Sequence, residues 1–157
     1  MGIRYIQPFI KVYYVPFWML IRLVILPSLF ITLPILRNIF IREEIEVVHG
    51  HAAFSPFALD AIFNAKIMNI RTFFTDHSLF GFNDFGAIMT NKMLEFALAD
   101  IDGVICVSHT SKENTVLRAG ICPSKVRVIP NAIDTTLFVP SDTPPNTDEI
   151  IVVVMSR

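Results

Sequence analysis

Between residues 45 and 129, short apolar runs rich in β-branched residues alternate with longer stretches whose apolar positions recur three and four apart. The runs at 45–48, 72–75, 104–107 and 126–129 predict four strands. Ser55 before Pro56 supplies an N-cap with proline at the first helical position, for a helix reaching about Met68 with Asn69 as C-cap. Residues 88–99 carry helical spacing. Thr110 and Glu113 form a capping box for a further helix, which Gly120 and Pro123 close. Strands alternating with helices of this length predict an α/β fold with a parallel, doubly wound sheet.

The flanks read differently. Residues 9–15, FIKVYYV, are a strand signal that stops at Pro16. An apolar segment follows to residue 41, broken by Arg22, Arg37 and prolines, with helix expected in its second half after Pro27 or Pro34. Its longest charge-free run, residues 23–36, has 14 residues. A helix needs about 20 to cross hydrocarbon, so the run suits a core helix or an interfacial one lying against lipid headgroups. Residues 139–149, rich in Pro, Asp and Thr, read as a linker. Residues 150–157 begin a new strand, and a lone strand is no domain. The expected organisation is therefore most of one domain over 1–138, a linker, and the start of a second domain.

Composition adds limits rather than a function. The 157 residues are 53% apolar with mean hydropathy +0.55, and the excess lies mainly in the segment before residue 42. A formal charge of -1 gives no field to attract nucleic acid. Cys106 and Cys122 form no C-x-x-C pair, so they supply neither a disulfide framework nor a metal knuckle.

In open parallel sheets ligands bind at the carboxyl ends of the strands. The residues following the four predicted strands are His49, Gly50 and His51; Asp76, His77 and Ser78; Ser108 and His109; and Asn131 with Asp134. All four histidines thus fall on one sheet edge. His49 and His51, two apart in extended chain, share a face. Imidazoles so placed could hold a metal, satisfy neighbouring polar groups, or meet a substrate; no acidic or thiol cluster completes a metal site. Asp76, His77 and Ser78 lack the G-x-S-x-G elbow of a hydrolase. Leu79, Phe80, Gly81 and Phe82 suit either a loop over a ring-shaped ligand or a hydrophobic plug. Residues 111–114, SKEN, are a solvated helix start whose free N–H groups could hold an anion.

Four blocks, HGHAAFSPFALDAIFNAK, TFFTDHSLFGF, TNKMLEFALADIDGVICVSHTSKENTVLRAG and VRVIPNAIDTTLFVP, in that order, resemble the PIG-A family, the catalytic subunits of phosphatidylinositol N-acetylglucosaminyltransferase. The resemblance implies the Rossmann-like N-terminal domain of a two-domain GT-B glycosyltransferase. Such an enzyme would be retaining and metal-free, moving N-acetylglucosamine from UDP-GlcNAc to phosphatidylinositol, the first step of GPI-anchor synthesis. It would act on the cytoplasmic face of the endoplasmic reticulum membrane with other subunits. By the same resemblance His77 stands beside the transferred sugar, His49 and His51 near the acceptor, and Asp76, Ser78, Ser108, Asn131 and Asp134 along the cleft. Arg157 would open an R-x-x-x-x-K-G motif that neutralises the donor diphosphate. The family's Gly-rich first turn is expected before Met1 and its glutamate pair beyond Arg157, so residues 1–157 alone are expected to be inactive. A related GT-B transferase with another acceptor, or a truncated non-catalytic isoform binding complex partners, would share many of these features.

Overall fold

The computed structural model describes residues 2–7, 9–15, 29–53, 55–79, 81, 85–139 and 152. The expected linker beyond Val139, the strand at 150–157 and Arg157 therefore lie outside the described residues, Val152 excepted.

A parallel sheet forms from β3 (Val47–His51), β4 (Arg71–Asp76), β5 (Gly103–Cys106) and β6 (Val126–Val128), in the order β3-β4-β5-β6. The connecting helices are α2 (Pro56–Ile67), α3 (Phe85–Leu98) and α4 (His109–Ala119). Strand order advances in one direction, so right-handed crossovers place all three helices on the same face. Burial agrees: Val48, Gly50, Phe74, Asp76, Val104, Cys106 and Val126 are buried, while Val47, His49, His51 and Arg127 on the opposite face are exposed. Leu59 and Ile62 of α2, Leu94 and Leu98 of α3, and Ala119 of α4 pack with Phe74, Val104, Cys106 and Val126 into one core. These strands make up one winding of the expected Rossmann-like α/β sheet.

The helix ends follow local chemistry. Ser55 Oγ accepts the Ala58 N–H at 3.4 Å, with Pro56 in the first helical position. The C-cap of α2 is Met68 rather than Asn69. Asn69 takes the following left-handed position (φ 59°), its N–H donating to the Lys66 carbonyl while the Ile70 N–H donates to the Ala65 carbonyl. This is a Schellman closure, where asparagine is tolerated at positive φ. Helix α4 begins before the predicted capping box: Ser108 is its N-cap, Oγ accepting the Ser111 N–H at 3.1 Å. An extended Ser108 meets a free amide of the first turn before the chain arrives at Thr110. Gly120 closes α4 in the left-handed region, as expected.

Residues 2–14 form more than the single strand expected. β1 (Gly2–Gln7) pairs antiparallel with β2 (Ile10–Tyr14), and the alternation of Ile3 and Tyr5 is the signal that marks β1. Tyr13 Oη donates to Glu43 Oε1 at 2.6 Å and Lys11 pairs with the same carboxylate, tying the hairpin to the end of α1 (Leu29–Arg42). Helix α1 takes in Pro34, on an exposed position, and buries Thr32, Leu36 and Phe40 at four-residue spacing. Leu36 and Phe40 pack with Val48 and Ala65. The second half of the apolar segment is thus a core helix, and among the described residues no helix is long and apolar enough to cross a membrane. Residues 16–28 lie outside the description.

Candidate functional site

The period of a strand sorts the site residues onto two faces. His49 and His51 end β3; Thr75, and beyond the strand end His77, follow the same alternation on β4, whose Thr75 is the register partner of His51. The three imidazoles form a row: His49 and His51 ring centroids lie 4.4 Å apart, and His51 and His77 lie 5.8 Å apart with planes only 15° from parallel. His49 Nε2 is 2.7 Å from Thr75 Oγ1, which fixes one end of the row. His51 and His77 are exposed, with edges open to a ligand. No group of three or more His, Cys, Asp or Glu among the described residues could hold a metal.

The close approach of α2 requires Gly50 between the two histidines. A Cβ there would sit 2.7 Å from Ile62 Cδ1 and 3.5 Å from Ala58 Cβ. Glycine lets the strand carry imidazoles on one face while the helix presses on the other.

Although His49 as a whole is exposed, partial burial of its ring against Thr75 lowers its pKa, and the neighbouring His51 lowers it further. A depressed pKa means the unfolded chain binds this proton more readily. Its stabilisation is therefore complete above the unfolded value of about 6.5 and is lost as pH falls through the folded value. Urea midpoints between pH 5 and pH 8 should rise with pH, and His49→Gln, neutral throughout, should flatten that rise; an unchanged slope would show that His49 does not contribute it.

Asp76 turns the other way. It is fully buried on the helix side, and both its oxygens accept hydrogen bonds. Oδ1 accepts from the Ser78 N–H at 3.0 Å and the Ser78 hydroxyl at 2.5 Å; Oδ2 accepts from Thr115 Oγ1 at 2.9 Å and Arg118 Nη1 at 3.4 Å. Asp76 and Ser78 thus meet each other, with His77 held between them. Thr75, Thr115 and Arg118 are additions to the candidates named from sequence; alternation assigns Thr75 to the histidine face, but nothing local marks the other two.

The remaining candidates stand apart. Ser108 is exposed and its oxygen caps α4, while His109 opens that helix. Asn131 and Asp134 are exposed beyond β6. The Asp134 carboxylate accepts from Thr136 Oγ1 at 2.6 Å and the Thr136 N–H at 2.9 Å, which hold its pKa below the usual carboxylate range. Among the described residues no hydrogen bond or ring contact joins Ser108, Asn131 or Asp134 to the histidine row.

The family model for PIGA (GPI anchor biosynthesis) matches residues 1–84, more than half of the chain. This chain belongs to the PIGA family. The matched stretch takes in the hairpin, α1 and the whole histidine row. Among curated PIGA-family relatives, a phosphatidylinositol N-acetylglucosaminyltransferase subunit of Arabidopsis thaliana is 54% identical over 156 residues, covering 99% of this chain and 35% of the relative. The gpi3 subunit of the same transferase in Schizosaccharomyces pombe and its human relative are each 51% identical over 156 residues, with 34% and 32% of their own lengths covered. The chain thus spans about a third of the length of the relatives it matches.

Proposed function

We propose that this chain supplies the acceptor side of a retaining glycosyltransferase that moves N-acetylglucosamine from UDP-GlcNAc to the inositol of phosphatidylinositol. Membership of the PIGA family and the names of its relatives support the reaction. The observation that carries the site assignment is the row of His49, His51 and His77 at the carboxyl ends of two adjacent parallel strands, where such sheets take their ligands.

In the transfer, the bond from the sugar's anomeric carbon to the diphosphate breaks, a bond to an inositol oxygen forms, and the hydroxyl proton is released. His77, at the exposed end of the row, is the group proposed to hydrogen-bond the sugar as positive charge develops on its ring. His49 and His51 are proposed to bind the inositol headgroup, with Ser78, Ser108, Asn131 and Asp134 further along the cleft. On this reading UDP-GlcNAc is a substrate and no metal or other cofactor takes part. Arg157 is proposed to meet the donor diphosphate by paired guanidinium hydrogen bonds. The proposed setting is the cytoplasmic face of the endoplasmic reticulum membrane, within a multi-subunit assembly; the relatives are named as subunits.

Residues 1–157, spliced in place of the matching stretch of the S. pombe relative and returned to cells lacking it, should restore membranes that form GlcNAc-phosphatidylinositol from UDP-GlcNAc. Sugar transfer to a different acceptor would point to a related transferase. A chimera that assembles with the other subunits but transfers nothing would favour a binding module.

A further inference from the structure

The buried Asp76–Arg118 pair belongs to neither the imidazole row nor the core, and it ties the turn bearing His77 to two helices. Four hydrogen bonds converge on the Asp76 carboxylate, two from Ser78 and one each from Thr115 and Arg118. Accepting four uses the whole hydrogen-bonding capacity of a carboxylate. A buried carboxylate is costly unless it is paired and hydrogen-bonded. Arg118, whose side chain is also fully buried, supplies the compensating charge. Its Nε donates to Asn91 Oδ1 at 2.8 Å, so the guanidinium links α4 to α3 as well as to the turn. Burial pulls the guanidinium below its ordinary pKa, and the Asp76 charge opposes that pull.

We propose that Arg118 is a positioning residue: by pairing with Asp76 through α4, it fixes the Ser78 turn and so aims His77 along the face shared with His51. The inference deepens the glycosyltransferase reading and rests on it for its effect on catalysis, but its structural part can be measured without any reaction.

Hydrogen exchange in the peptide 76–79 of this chain reads the turn directly, because the Ser78 N–H is donated to Asp76. Arg118→Met should accelerate exchange there on the order of tenfold, as loss of a hydrogen bond to a charged group predicts, while amides of β5 keep their protection. Arg118→Lys, which retains the charge, should stay near the parent. Should Arg118→Met unfold the chain, two charge-neutral doubles decide. Asp76→Asn with Arg118→Met keeps an acceptor for Ser78 and should protect the turn; Asp76→Ala with Arg118→Met should not. Parental exchange in a folded Arg118→Met, or equal exchange in the two doubles, would overturn the proposal. In the chimera, Arg118→Met should lower kcat while leaving KM for UDP-GlcNAc and phosphatidylinositol in place, with partial recovery in Arg118→Lys; a change confined to KM would also overturn it. Failure of the unsubstituted chimera to transfer sugar would count against the glycosyltransferase reading alone, since the exchange result stands without it.

Discussion

Replacing His77 by alanine in the full-length chimera is expected to lower N-acetylglucosamine transfer by about 10²- to 10³-fold, the loss typical of removing one preorganised polar contact to a charged transition state. His77 is exposed and stands beyond the end of β4, so its truncation opens no cavity and the melting temperature should barely move. His51→Ala removes the ring that stacks on it and should weaken phosphatidylinositol binding more than turnover. The measurement is initial rate against each substrate in membranes matched for chimera content. Near-parental rates for His77→Ala would remove His77 from the chemistry, whatever the fate of the fold.

Gly50→Val should have the largest effect on stability. A single methyl meets Ile62 Cδ1 at 2.7 Å inside a fully buried contact, and valine's two further carbons add to the crowding against Ile62 and Ala58, so more than the isoleucine's terminal methyl must shift. Overpacking of this kind costs about 1–3 kcal/mol. The strain falls on the strand that carries His49 and His51, so the His49–Thr75 hydrogen bond should weaken with it. A double-mutant cycle identifies the cause: Gly50→Ala combined with Ile62→Val, which lacks Cδ1, should be more stable than the two single changes predict by addition. Additive losses in urea unfolding would show that the glycine serves some other need than close approach of α2.

Much of the fold is written in local signals. Ser55 with Pro56 opens α2, Gly120 closes α4, and the β-branched runs mark the sheet because each needs only its near neighbours. The shared face of His49 and His51 follows from spacing alone. Thr110 and Glu113 misplace the start of α4 because they have the right spacing for a cap, yet Ser108 two residues earlier already fills that role. β1 is hard to find because its partner lies across a turn lacking Asn-Gly or Asp-Gly chemistry. Arg118 is invisible to sequence for a more basic reason: it lies 42 residues from Asp76, and no period links a strand end to a helix two crossovers away.

That separation also has a consequence in time. A ribosome adding about 5–20 residues per second needs roughly 2–8 s to travel from Asp76 to Arg118. Until then the nascent chain holds Asp76 without its cation, and the turn beside it has only the two Ser78 hydrogen bonds to hold it. The imidazole row can be emerging from the ribosome before the residue that aims its last member has been made, so the turn bearing His77 would be among the last parts of residues 71–118 to take shape.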